Sequence, residues 1–216
     1  MKDFGLSRNV PVKPGATALL FVDVQNYCAE GGGEYAHLPH EEVERCYGYF
    51  FREMRERAIP NMRRLQLASR KAGVEVIYTV IQSLTQNGRD MGLDYKISGL
   101  FCPRGSRDAR VIDEIAPVGD EIVIPKTSFS VFISTNIHYV LGNLGMKHVI
   151  VCGVLTDQCV DSTVRDACDL GYLVTLVTDA CATQSEDRHR SSITNNRGYC
   201  RQMTTNEMVA ELATLT

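Results

Sequence analysis

Five short apolar runs punctuate the chain, each bounded by a charge or a turn-forming residue. Ala16-Thr-Ala-Leu-Leu-Phe-Val-Asp23 is almost unbroken and closes on a carboxylate. Val74-Glu-Val-Ile-Tyr-Thr-Val80, Glu121-Ile-Val-Ile124, Lys147-His-Val-Ile-Val-Cys152 and Tyr172-Leu-Val-Thr-Leu-Val177 follow. Runs this short without strict alternation predict strands covered on both faces. Between them the apolar spacing turns helical: a long stretch ends at Lys71-Ala72-Gly73, and two more span roughly 134–145 and 159–170, ending at Gly145 and Gly171. Glycine suits the left-handed position after a helix. Strands alternating with helices predict right-handed crossovers and a parallel sheet with helices on both faces, a doubly wound α/β fold.

Two segments interrupt that rhythm. Residues 26–50 carry Gly31-Gly32-Gly33 and several aromatics, and 82–108 is polar and rich in glycine. Both are expected to be loops leaving the carboxyl ends of strands, where open α/β sheets bind ligands, with 82–108 as a lid or binding loop. No repeat, low-complexity tract or linker divides the chain, so one domain is expected over 1–216.

Composition narrows the picture. With 216 residues, 44% hydrophobic, the chain has enough apolar side chain for a packed core. Its formal charge of −3 argues against nucleic acid as the main partner. No uncharged apolar stretch approaches the roughly 20 residues of a membrane span. Met1-Lys2-Asp3-Phe4 leads into a polar segment without the apolar centre of a secretory signal, so the expected compartment is the cytoplasm. The eight cysteines, at 28, 46, 102, 152, 159, 168, 181 and 200, are irregularly spaced and include no CxxC pair. Disulfides and structural zinc are therefore not expected, and most of these thiols read as small packing residues.

One cysteine stands apart. In Val149-Ile-Val-Cys-Gly-Val-Leu-Thr-Asp-Gln-Cys159-Val-Asp-Ser-Thr-Val-Arg-Asp-Ala167 a buried strand runs through a tight turn into a helix that begins near Cys159. Free N–H groups and the positive helix end are expected to lower the pKa of a thiol there, and the same N–H groups suit an oxyanion. A plain buried cysteine at a helix start fits the same pattern. Asp23 closes the first strand, as a catalytic carboxylate or a loop anchor would. Lys126 follows Glu121-Ile-Val-Ile-Pro125 and alone reads as a solvated surface residue.

In combination, Phe21-Val-Asp23-Val-Gln25, Pro125-Lys126…Ser130-Val-Phe132 and Gly153-Val-Leu-Thr156-Asp-Gln-Cys159-Val resemble the isochorismatase-like cysteine hydrolases, in order and spacing, over roughly 15–203. That superfamily includes nicotinamidases, N-carbamoylsarcosine amidases, ureidoacrylate and biuret hydrolases, and isochorismatases. The resemblance implies a three-layer fold around a six-stranded, mostly parallel sheet. It also implies a catalytic triad of Asp23, Lys126 and Cys159, a cis peptide at Val154–Leu155, and an oxyanion hole from the N–H groups of Leu155 and Cys159. The implied reaction is attack of the Cys159 thiolate on an amide or ureido carbonyl, through a thioester, with release of ammonia. Relatives are commonly oligomeric, which implies a homodimer or homotetramer.

Departures narrow the substrate. Nicotinamidases carry Asp-x-His just after the second core strand, whereas Val80-Ile81-Gln82-Ser83 stands here. No metal and no other cofactor is therefore expected, nicotinamide is disfavoured, and Asp90 and Asp94 are expected to face solvent. The histidines at 37, 40, 138, 148 and 189 fall in no catalytic motif. Retention of Cys159 favours acyl chemistry. Ether or ester hydrolysis and non-catalytic small-molecule binding stand as the alternatives. Candidate substrate-binding residues are Asn26, Tyr27, Gln82, Arg89, Ser130 and Phe132. Arg89, Tyr95, Lys96 and Arg104 suit a substrate carboxylate or are simply solvated. Arg165 and Asp166 read as residues of helix structure.

Overall fold

The computed structural model describes residues 4–215; Met1, Lys2 and Asp3, part of the opening segment weighed above, lie outside the described residues. Six strands form one sheet: β1 (Thr17–Val22), β2 (Glu75–Ile81), β3 (Ile122–Lys126), β4 (His148–Val154), β5 (Leu173–Ala182) and β6 (Arg201–Met203). Their order is β3-β2-β1-β4-β5-β6, and every neighbouring pair is parallel, so the mostly parallel sheet expected is wholly so among these strands. All of β1 and β4 is buried, which is why those segments read as unbroken apolar runs. β3 lies at one edge and carries Pro125, which has no N–H to give to a further strand. The sixth strand, Arg201-Gln202-Met203, is too short and polar to stand out as a run.

The stretch 26–50 is not all loop. Helix α1 starts at His40 and runs to Glu53, burying Val43, Phe50 and Phe51 at helical spacing. It continues through a wide π turn, Met54–Ala58, into α2 (Ile59–Lys71). Pro60 accounts for the wide turn: it has no N–H for the Glu56 carbonyl and its ring crowds that group, so an extra residue enters the turn. The remaining helices are α3 (Leu93–Ile97), α4 (Val131–Ser134), α5 (Ile137–Asn143), α6 (Asp161–Asp169), α7 (Glu186–Asn196) and α8 (Thr205–Ala213). α2 and α8 pack together over β2 and β5. α6 covers β4 and β5 on the opposite face, flanked by α4 and α7.

The 82–108 segment, expected as a lid, is anchored by its own small core. Tyr27, Ile81, Met91, Tyr95, Cys102 and Ala109 cluster beneath it. Buried Gln25 fastens it further: its amide oxygen accepts from Ile81 N–H at 2.5 Å, and its Nε2 donates to the carbonyls of Ile81 and Asp108, both at 2.9 Å.

β1 and β4, the two strands that flank the reversal of strand order, leave no room for a side chain at Gly153. A Cβ there would lie 2.2 Å from the Val22 carbonyl oxygen and 2.7 Å from Val22 N, and the residue has φ +128°. Gly153→Ala is therefore expected to destabilise the fold by about 3 kcal/mol, read as a lowered urea midpoint. An unchanged midpoint would show that the two strands can part without cost.

Candidate functional site

Ligands in doubly wound sheets bind beyond the carboxyl ends of the strands, at the reversal of strand order. Three side chains meet there. Asp23 is the first residue past β1. It adopts φ +57°, a left-handed conformation that aspartate tolerates better than most residues, while its N–H still bonds the Thr79 carbonyl of β2 at 3.0 Å. Lys126 is the last residue of β3. Cys159 lies in the π turn Thr156–Val160 that links β4 to α6, just after the cis peptide Val154–Leu155.

Lys126 is 0% exposed, which removes the solvated reading of it. Its Nζ lies 2.9 Å from Asp23 Oδ2 and donates to Tyr95 Oη at 2.7 Å, to the Ser128 carbonyl at 2.8 Å and to Cys159 Sγ at 3.4 Å. Thr79 Oγ1 donates to Asp23 Oδ1 at 3.3 Å. Asp23 Oδ2 pairs with the ammonium at 2.9 Å and, with two lone pairs on a carboxylate oxygen, keeps one open to a proton.

Burial decides the charge states. It pushes the Cys159 thiol up to about 12, against the pull of Lys126 and with help from Asp23. The lowering expected from the helix end is thus overturned: the sulfur has left water, and no net positive charge compensates it. Burial also lifts Asp23 above the ordinary carboxylate value, with Lys126 restraining the rise. Lys126 is itself destabilised by burial, but Asp23 and Cys159 outweigh that and hold it protonated. The site therefore presents a neutral thiol beside a carboxylate that is more basic than a surface one.

A cavity of about 190 Å³ opens on this group. Five rings line it, from Tyr27, Tyr35, Phe50, Tyr95 and Phe129, together with Ile81, Leu100 and Leu155, and with Ser98, Gln158 and Gln184 as polar members. Of the candidate binding residues only Tyr27 is among them. Asn26 gives its amide to the carbonyls of Arg107 and Arg110, tying two loops together. Gln82 accepts from Gly105 N–H, and exposed Arg89 pairs with Asn87. Ser130 caps α4 through Ile133 N–H and bonds Asp166, while Phe132 packs against Tyr172 in the core. Lys96 donates to the Arg89 carbonyl and Arg104 is exposed, so neither enters the cavity.

Asp94 is exposed, but Asp90 is not a free surface carboxylate: it accepts from the N–H groups of Leu84 and Thr85 at 2.7 and 3.1 Å and staples its loop. Arg165 pairs with Asp161 one helical turn away, as a residue of helix structure does. Among the described residues no group of three or more His, Cys, Asp and Glu side chains is placed to hold a metal ion.

Sequence reasoning missed how deeply Tyr95 enters the site. Leu93 and Ile97, its apolar neighbours on α3, are 76% and 73% exposed while Tyr95 is 1% exposed, so local hydrophobicity points the wrong way. Gln25 and Thr79 carried a weak signal. Gln25 lies two residues beyond Asp23, and Thr79 is the one aliphatic hydroxyl within β2.

The Isochorismatase domain family matches residues 17–208. The chain belongs to the isochorismatase family. The ureidoacrylate amidohydrolase RutB of Agrobacterium fabrum is 31% identical over 196 residues, covering 79% of this chain and 78% of the relative. RutB of Rhizobium rhizogenes is also 31% identical, covering 79% and 72%. Among solved structures, a cysteine hydrolase from Pseudomonas syringae pv. phaseolicola matches with a TM-score of 0.80 at 24% identity, covering 96% of this chain and 97% of the other. N-carbamoylsarcosine amidase from Thermoplasma acidophilum matches at 0.68 and 24%, covering 88% and 97%. Both share the three-layer isochorismatase fold.

The raised carboxyl of this isochorismatase-family site has a consequence for pH. A base must be ionised to take a proton, and the ionised fraction falls as pH drops through the folded-state pKa. For Asp23 acting as the proton acceptor, the acid limb of kcat/KM is expected above 3.8, the ordinary aspartate value. Thr79→Val removes a bond that favours the carboxylate, and is expected to move the limb further up. A limb at or below 3.8, unmoved by Thr79→Val, would exclude Asp23 as the titrating group.

Proposed function

We propose that the chain is a cysteine amidohydrolase that cleaves the C–N bond of a small ureido, carbamoyl or amide substrate through a thioester on Cys159. The observation that carries this reading is the convergence of Cys159 Sγ, Lys126 Nζ and the Asp23 carboxylate at one small cavity. The RutB relatives, named as ureidoacrylate amidohydrolases, support the bond type. An ether hydrolase or a passive binder would leave a buried thiol beside a base without a purpose.

Asp23 Oδ2 takes the thiol proton as sulfur attacks the carbonyl carbon. The carbonyl π pair moves onto oxygen, and the N–H groups of Leu155 and Cys159 hold the resulting oxyanion. Lys126 offsets the charge that accumulates on sulfur. The C–N pair then leaves with the proton from Asp23, giving ammonia and a thioester. Water, deprotonated by Asp23, attacks the thioester; the C–S bond breaks and the sulfur recovers its proton.

Two features support a substrate that is small and uncharged. The cavity, about 190 Å³, falls below the roughly 300–1,000 Å³ of sites for drug-sized ligands. No Lys, Arg or His is among its lining residues, and the hydrogens of Lys126 are already directed at protein atoms. A carboxylate brought in would lose its hydration without gaining a counter-ion. The proposed compartment is the cytoplasm; among the described residues no helix is long and apolar enough to cross a membrane. The proposed assembly is a homodimer or homotetramer, for which the 82–108 segment offers the exposed apolar side chains Leu84, Leu93, Ile97 and Phe101.

Ammonia release over a panel of ureides, carbamoyl amines and primary amides tests the reaction. Cys159→Ala is expected to abolish turnover, Asp23→Asn to lower kcat about 10²–10⁴-fold, and mass spectrometry to find an acyl adduct on Cys159. Normal rates in Cys159→Ala would refute covalent catalysis by this residue. Within the panel, carboxylates and their uncharged amides form matched pairs, and the uncharged member is expected to have at least about tenfold higher kcat/KM, the equivalent of 1.4 kcal/mol of anion desolvation. Preference for the carboxylates would refute the uncharged-substrate reading alone.

A further inference from the structure

Tyr95 brings a buried hydroxyl from the 82–108 segment into the triad, and its hydrogen bonding has a fixed direction. Lys126 Nζ lies 2.7 Å from Tyr95 Oη. An ammonium has no lone pair, so the lysine donates and the phenol oxygen accepts. The phenol proton must then point elsewhere, because buried hydroxyls are rarely left without a partner. Among the described residues the further polar contact of this hydroxyl is Cys159 Sγ, at 3.9 Å. Phe129 packs edge-on against the ring at 4.8 Å between centroids and holds it in that attitude.

A neutral thiol is a weak acceptor, and 3.9 Å is the outer limit of an O–H···S contact. A thiolate is a strong acceptor, and hydrogen bonds to an ionised partner are shorter and roughly twice as strong. The contact therefore gains strength as sulfur becomes anionic, and loses it once sulfur is bonded to the acyl carbon. That is differential stabilisation of the attacking state.

We propose that Tyr95 is a further catalytic residue, whose hydroxyl donates to the Cys159 sulfur as the thiolate forms and so makes acylation depend on the seating of the 82–108 segment. The proton stays on Tyr95 throughout; only the hydrogen bond strengthens and weakens. The inference rests on the cysteine hydrolase reading above.

Tyr95→Phe keeps the ring and its contact with Phe129 while removing the hydroxyl. The rate of thioester formation in a single turnover, followed by rapid quench and mass spectrometry, is expected to fall about 10- to 100-fold. Thioester hydrolysis is expected to stay within about threefold. The pH profile of Cys159 alkylation by iodoacetamide, read on that peptide alone, is expected to move up by about one unit. Replacing Tyr95 with 3,5-difluorotyrosine, a similarly shaped but more acidic donor, is expected to move the profile the opposite way, and keeps the idea testable where the Phe variant folds poorly.

Unchanged acylation and unchanged alkylation profiles in both variants would overturn the proposal. So would a loss confined to KM, which assigns Tyr95 to binding. Absence of any thioester in the unmodified protein would instead overturn the cysteine hydrolase reading itself, so the two failures are distinguishable.

Discussion

An ammonium group taken out of water must have its hydration shell rebuilt from protein atoms, and Lys126 imposes that requirement on this fold. The cost of burying such an ion is several kcal/mol before any partner repays it. The replacements are the Asp23 carboxylate, the Ser128 carbonyl, the Tyr95 hydroxyl and the Cys159 sulfur. They come from four places: the end of β1, the loop after β3, the short helix α3, and the turn after β4. Strand order β3-β2-β1-β4 sets those ends side by side, with β2 between the lysine's strand and the aspartate's. Site and sheet are thus energetically coupled, because a lysine placed there without its partners would oppose folding.

The close approach at Gly153 serves that assembly. It brings β4 against β1 three residues before the turn that delivers Cys159. Gln25 does similar work on the other side, joining the end of β2 to Asp108 and so holding the far end of the 82–108 segment. Neither residue touches the sulfur. Both act by limiting where the backbone can go.

The strands were readable from the sequence because burial on both faces demands uninterrupted apolar side chains, and β1, β2, β4 and β5 supply them. β6 escaped that logic, since a three-residue edge strand buries little. α1 was obscured by the glycines and aromatics before it and by the proline that widens the turn behind it. Asp23, Lys126 and Cys159 were identifiable as a set but ambiguous one by one. Burial is a property of the assembled fold, so a lysine after a strand reads as solvated until its neighbours are known. The same gap reversed the sign of the Cys159 shift: sequence shows the helix start but not the loss of water around the sulfur. Most of the candidate binding residues lie outside the cavity lining for a related reason. Proximity in the chain to a site residue does not tell which way a loop side chain turns: Asn26 and Gln82 are consumed by bonds that hold loops together, and Ser130 by its helix cap and Asp166.

Burial of the triad also bears on how the medium responds during the reaction. In the proposed proton transfer Asp23 starts negative, Lys126 positive and Cys159 neutral; afterwards Asp23 is neutral and Cys159 negative. The formal sum over the three groups is zero in both states. Surroundings of low polarisability penalise a net charge steeply but respond much less to a negative charge relocated between two neighbours of the same cation. The environment that makes each of these ions expensive to hold therefore asks for little rearrangement when the charge shifts, and the enclosing shell of aromatic rings can stay still while the chemistry proceeds.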